Sequence, residues 1–146
     1  MDENFIEMDL LEIQTPEDPR STPIIVLSEK NGDREFPILI GHLEARLLEN
    51  VVLNEISLDS SRRPLTHDLT INVVDSLRAT LRRVMVTRLE AQTFFGALEI
   101  ETDSGTILRV DSRPSDAVIL AMKRRVPIFV EAKVLAQATR DHETET

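Results

Sequence analysis

Three short segments hold most of the side chains able to do chemistry, and each leads into an apolar run with helical spacing. Arg62-Arg63-Pro64-Leu65-Thr66-His67-Asp68-Leu69 offers two guanidinium groups, an imidazole and a carboxylate. Asp111-Ser112-Arg113-Pro114-Ser115-Asp116-Ala117 offers two carboxylates, two hydroxyls and a guanidinium. Ile40-Gly41-His42-Leu43-Glu44-Ala45 adds an imidazole and a carboxylate. In the second segment a strand should end near Asp111 and a helix begin within three residues. Unpaired backbone N–H groups and the helix dipole favour an anion there, and Arg113 supplies a fork for phosphate or carboxylate. Asp111 and Asp116 carry the oxygen ligands that a divalent cation takes. A purely structural role uses the same residues. Ser112 or Ser115 then caps the helix, Asp116 complements its dipole, and Arg113 pairs with Asp111 or another acid. In the first segment Thr66 reads as an N-cap and Asp68 as a first-turn acid. His67 there is either a general base or acid near neutral pH, or a capping residue.

Known catalytic signatures are otherwise missing. The chain has no Gly-x-Ser-x-Gly elbow, Walker loop, dinucleotide-binding glycine fingerprint or His-Glu-x-x-His motif. It has four glycines, too few for a phosphate-cradling loop, and no cysteine, which removes disulfides, thiolate metal sites and cysteine nucleophiles. Five phenylalanines are the only aromatic residues and fall mostly in predicted strands, leaving little for a base-stacking platform.

Charge is distributed unevenly. The formal net charge is −9, from 26 acids and 17 bases. Seven of the acids lie in residues 1–18 and three in residues 141–146, and neither stretch holds a base. The remaining 16 acids face all 17 bases, so residues 19–140 carry about +1. Fourteen of the bases are arginine, the residue suited to bidentate contact with phosphate or carboxylate.

The elements that must position these groups follow from periodicity. Phe5–Leu10 alternates apolar and acidic residues and reads as a half-buried strand. Thr15–Thr22 reads as a loop. Runs at Pro23–Leu27 and Arg34–Ile40 flank Asn31-Gly32, a hairpin signal. Leu43, Leu47, Leu48, Val51 and Val52 mark an amphipathic helix, and Asn54–Arg63 a polar loop. A second helix should run from Thr66 to about Ala79. Strands at Leu81–Leu89 and Thr93–Glu101 follow, and Asp103-Ser104-Gly105 turns the chain into Thr106–Val110. Pro114 opens a helix through Lys123 that is apolar nearly all round and therefore buried. Pro127–Val130 reads as a strand, Glu131–Ala138 as a last helix. A hairpin feeding a helix occurs twice, at residues 24–52 and 95–124. The fold class expected is a single α+β domain, mostly antiparallel sheet with about three main helices, over residues 1–140. Residues 141–146 should form an acidic disordered tail. No apolar run is long enough to span a bilayer, and the acidic start lacks the basic region of a secretory signal. A cytoplasmic protein with no membrane contact is expected.

The combination of Arg63–Leu69, Asp111–Ala117 and Pro127–Val130 resembles the bifunctional nuclease domain family. Phe36-Pro37-Ile38-Leu39-Ile40-Gly41 with Glu44-Ala45, and Thr93-Phe94-Phe95, extend the resemblance across roughly residues 5–135. The resemblance implies a nuclease that hydrolyses phosphodiester bonds of both DNA and RNA. Chemical inference on the matching positions then assigns catalysis to His67, Asp68, Asp111, Arg113 and Asp116. It assigns substrate contacts to Arg62, Arg63, Ser112 and Ser115. Asp111 and Asp116, with Glu44 or Asp68, would hold Mg²⁺ or Mn²⁺ while His67 activates water. The rival expectation is a non-catalytic binding or regulatory module. A homo-oligomer, most simply a dimer, is expected in either case.

Overall fold

A computed structural model describes residues 4–53 and 63–144 of the chain. The elements run β1 (Phe5–Gln14), β2 (Ile24–Glu29), β3 (Glu35–Leu39), α1 (His42–Val52), α2 (Thr66–Ser76), β4 (Thr80–Glu90), β5 (Thr93–Glu101), β6 (Ile107–Ser112), α3 (Pro114–Arg124), β7 (Ile128–Glu131) and α4 (Ala132–Thr144). The seven strands form one sheet in the order β3-β2-β1-β7-β4-β5-β6. Every neighbouring pair is antiparallel except β4 and β7, which run parallel. The doubled hairpin and helix expected from sequence is present as two three-strand meanders. β1-β2-β3 feeds α1 and β4-β5-β6 feeds α3, and the two helices pack on each other. β7 is inserted between the halves.

Alternation within each strand puts its apolar residues on one face. Met8, Ile25, Leu27, Phe36, Val84, Val86, Leu98, Ile128 and Val130 form that face. Against it pack Ala45 and Leu48 of α1, Ala117 through Ala121 of α3, and Val134, Leu135 and Ala138 of α4. The helix through Ala117–Ala121 is buried as its composition requires. The sheet coils enough to bring Phe36 of β3 within 5.3 Å of Phe94 of β5, ring centre to ring centre.

Several expected boundaries move. Thr66 does not cap α2. Leu65 is the N-cap residue, and Asp68 accepts its backbone N–H at 3.0 Å. Neither Ser112 nor Ser115 caps α3. Arg113 is the N-cap residue, the Ser112 hydroxyl donates to the Arg113 carbonyl at 2.9 Å, and Ser115 is buried in the first turn. Glu131 ends β7, opposite Phe5, instead of starting the last helix. That helix continues to Thr144 and takes in four residues of the expected tail. Polar residues continue it without strain, and the Thr139 hydroxyl donates to the Leu135 carbonyl one turn back at 2.8 Å. Four helices are thus present among the described residues, the three main ones and the last helix expected from the sequence. The loop expected at residues 54–63 and the side chain of Arg62 lie largely outside the described residues.

Candidate active site at three helix starts

The first turns of α1, α2 and α3 meet at one place. Asp116, in the first turn of α3, is held from two sides. His67, in the first turn of α2, lies with Nε2 2.8 Å from Asp116 Oδ1. Arg113 donates from Nε to Asp116 Oδ2 at 2.8 Å and from Nη2 to Oδ1 at 3.1 Å, a bidentate pair across one helical turn. The same Nη2 reaches Glu44 Oε2 of α1 at 3.3 Å. Residues as far apart in sequence as 44 and 116 therefore form one connected cluster. Asp68 stands one step along α2 and takes a bond from Lys123 Nζ at 2.7 Å. Lys123 went unnoticed in the sequence, although it follows Asp116 by two helical turns and so lies on the same side of α3. The Arg124–Asp75 ion pair lies farther along the same seam between α2 and α3.

Local geometry explains the placement. Gly96 of β5 pairs with Ser112 of β6. A Cβ on Gly96 would stand 3.1 Å from the Ser112 carbonyl oxygen and 3.2 Å from Pro114 Cα. A side chain at this position would crowd the tight turn from β6 into α3, and that turn aims Arg113 at the other two helix starts.

The electrostatics follow from the contacts. Burial pushes the Asp116 carboxyl up, but the hydrogen bonds from Arg113 and His67 outweigh it and hold the group below its ordinary value. The bond to Asp116 raises Arg113 above the ordinary arginine value, with Glu44 adding to the effect. The His67 ring is 11% exposed, whereas the Arg113 side chain is 65% exposed. An imidazole fixed by a carboxylate thus sits behind a guanidinium that faces solvent. Among the described residues Arg113 Nη1 has no partner. A groove of about 650 Å³ opens beside Arg113, walled by Pro37, Leu39, Leu89 and Phe94 and bordered by Gly41 and Ser115.

Not every expected residue arrives. Asp111 pairs across the sheet with Ala97, and Ala97 with Met85, a row that faces away from the helices. Neighbouring Leu98 faces the core instead. Asp111 therefore lies on the opposite face of the sheet from Asp116, because successive strand residues alternate sides. Arg63 is exposed and makes no ion pair among the described residues. The proposed cation ligands Asp111, Asp116 and Glu44 are not assembled. Both oxygens of Asp116 are engaged, and a guanidinium already bridges Asp116 to Glu44. Among the described residues no three acidic or histidine side chains are grouped to hold a metal ion. The donor set in this arrangement does not fit Mg²⁺ or Mn²⁺.

The sequence profile of the bifunctional nuclease domain matches residues 25–143. The chain belongs to the bifunctional nuclease domain family. It is 38% identical over 122 residues to uncharacterised proteins from two strains of Mycobacterium tuberculosis, covering 84% of this chain and 70% of those proteins. The family match spans all three converging segments. No helix among the described residues is long and apolar enough to cross a membrane.

Proposed function

We propose that the chain is a phosphodiester hydrolase acting on DNA and RNA, with His67, Asp116 and Arg113 at its centre. The observation that carries this reading is the His67–Asp116 contact at 2.8 Å, made between helices 49 residues apart in sequence and bounded by a solvent-facing arginine. With Nε2–H donated to Asp116, the neutral ring keeps its lone pair on Nδ1. That nitrogen takes the proton of an attacking water, and Asp116 stabilises the imidazolium that forms. Arg113 Nη1 binds a non-bridging phosphoryl oxygen and offsets the charge that builds as the new P–O bond forms. The P–O bond to the departing sugar oxygen breaks, and that oxygen is protonated from solvent. Glu44 holds the guanidinium plane in position. No step is routed through a metal.

The test is turnover of single-stranded DNA and RNA oligonucleotides by repurified wild type, His67→Ala and Asp116→Asn, each with and without chelator. Loss of about a hundredfold or more in both variants, with the native circular dichroism spectrum and cooperative unfolding retained, supports the assignment. Activity that survives both substitutions overturns it. A wild type with no turnover overturns it in favour of the rival reading, a non-catalytic binding or regulatory module.

A further inference from the structure

The groove beside Arg113 lies where the two halves of the molecule meet. One wall comes from β3, with Pro37 and Leu39, and the other from the β4–β5 hairpin, with Leu89, Gln92 and Phe94. Its volume of about 650 Å³ falls within the span of about 300–1,000 Å³ usual for small-ligand pockets. The apolar wall is left open. Leu39 is 69% exposed, and Phe94, backed by Phe36, stays half-buried. The start of α3 forms a polar border. No side chain caps this helix, so its first backbone N–H groups are offered to an acceptor. Ser115, in that first turn, is 7% exposed and lines the groove. Its hydroxyl makes no hydrogen bond among the described residues, yet it is not sealed from solvent. A hydroxyl so enclosed normally finds a partner. Arg113 also lines the groove, and its Nη1 has no partner among the described residues. Backbone, hydroxyl and guanidinium donors thus meet beside an apolar slot. Together they ask for a ligand with an anionic oxygen at one end and an apolar body at the other.

We propose that this groove holds the nucleoside next to the scissile phosphate, with its base against Phe94 and its phosphate on Arg113 and Ser115. Resting on the phosphodiesterase reading, this adds a substrate class: a single strand with at least one unstacked base. A nucleotide unit supplies both ends of what the groove asks for, a phosphate joined by a short sugar to a flat ring. Every base has a π-face, so a wall of one phenylalanine and aliphatic side chains accepts all of them. That tolerance suits action on both DNA and RNA. Gln92 also lines the groove, and a side-chain amide carries both donor and acceptor, so it meets the edge of any base without selecting one. One phenylalanine serves one base, which a chain with five phenylalanines and no other aromatic residue can supply. A base within a duplex must leave its stack before it can enter, so single strands are preferred.

The probes are thymidine 3′,5′-bisphosphate and the same bisphosphate with hydrogen in place of the base. Neither contains a phosphodiester, so neither is consumed, and a phosphate on each side of the sugar serves either strand polarity. NMR titration of the backbone amides of the full chain reads both affinity and place. Wild type should bind the thymidine compound about fivefold or more tightly, with shifts at Leu39, Gln92 and Phe94. Phe94→Leu and Leu39→Ser should each lower the ratio of the two affinities by about twofold or more. Ser115→Ala should weaken both compounds alike, by about tenfold, since it removes a donor to the phosphate. Phe94 also packs on Phe36, so circular dichroism checks that variant, and exposed Leu39 keeps the test decisive if it unfolds. Equal affinity of wild type for the two compounds overturns the proposal, as does a preference untouched by both wall substitutions. Octanoate binding more tightly than the nucleotide at the same amides would make the groove a site for apolar acids and overturn it too. Turnover tests the hydrolytic reading separately. A base preference without turnover keeps the groove as a nucleotide site and removes the hydrolase, and turnover without a base preference does the reverse. A duplex cleaved as fast as its own single strand also overturns the proposal.

Discussion

Two arginine–carboxylate centres lie on opposite faces of the sheet and use nearly the same contact. At the helix starts Arg113 meets Asp116 at 2.8 Å; on the helix-free face Arg83 of β4 meets its cross-strand neighbour Glu99 of β5 at 3.1 Å. Their surroundings differ. Arg83 is sandwiched between the Phe5 and Phe129 rings, 5.1 Å and 5.0 Å from their centres, and its side chain is 15% exposed. Arg113 is 65% exposed and shares its carboxylate with a histidine. An arginine enclosed by aromatic faces has its charge spent on the fold. An arginine facing solvent, with one nitrogen unpartnered and an oriented imidazole behind it, still has a charge to offer a ligand. The comparison also accounts for the phenylalanines. Only Phe36 of the five is fully buried; half-buried Phe5 and Phe129 lie against Arg83, and Phe95 carries Arg88 at 4.2 Å.

The comparison is broken most strongly at His67. His67→Ala should lower phosphodiester turnover by about a hundredfold or more per folded molecule, with a loss of stability of only about 1 kcal/mol from the missing bond to Asp116. A loss of stability with turnover per folded molecule retained would make the helix-start cluster another staple like the Arg83 pair. The reciprocal substitution is Arg83→Leu, which leaves Glu99 without its partner in a mostly enclosed place. A cost of about 2 kcal/mol, below that of a fully buried pair because both groups keep some water, should appear in urea unfolding. Turnover per folded molecule should not change. Arg113→Lys sharpens the contrast further. It keeps the charge and loses the fork, so KM should rise by roughly tenfold with the melting temperature held. Equal KM for the two proteins would show that the planar guanidinium does not meet substrate.

The hairpin between β4 and β5 gives a smaller effect. It turns on Ala91 and Gln92, both left-handed, with φ of 49° and 66°. A two-residue turn with both φ positive normally takes Asn-Gly. Replacing Ala91-Gln92 by Asn-Gly should therefore stabilise the chain by about 1 kcal/mol in urea unfolding. Gln92 borders the groove beside Arg113, so a fall in turnover alongside the gain would mark the strained turn as part of the site.

That turn also shows where the sequence stopped being legible. Gly105 announced its hairpin because the turn demands a left-handed backbone, with φ of 89°, whereas Asn31-Gly32 marked its hairpin by residue type alone, neither residue taking a positive φ there. Ala91-Gln92 gave no such signal, because neither residue type favours the left-handed region and the pairing of Glu90 with Thr93 imposes it. The helices were readable from local periodicity. The insertion of β7 between β1 and β4, parallel to the latter, was not, since it depends on pairings between Val84 and Ile128 and between Ile6 and Val130. Within the site, His67, Arg113, Asp116 and Glu44 were legible as side chains at helix starts, and three helix starts on one side of a sheet can meet. Asp111 was misplaced because its segment straddles a strand end, where one residue decides which face a side chain takes. Gly96 carried no signal, since its role appears only when Pro114 lies against it.

The smallest effect concerns acid. Asp116 ionises below its ordinary value in the folded chain, because the bonds from Arg113 and His67 outweigh its burial. An unfolded aspartate titrates near pH 4. A group whose folded value is the lower one contributes stability that is fully present above the unfolded value and lost as pH falls through the folded one. Wild-type stability should therefore drop on acidification below about pH 4, in part through Asp116. Asp116→Asn removes that contribution, so its unfolding free energy should fall less steeply over the same interval. The difference is confined to one group of several. Glu29 is held low by Arg34 and Asp18 by Arg20, and both persist in the variant. Urea titrations of both proteins at a series of pH values from 6 to 2 measure the two slopes. A shallower acid limb in Asp116→Asn ties the carboxylate's charge to the Arg113–His67 contacts, and coincident limbs would show that those contacts do not hold its proton off in solution.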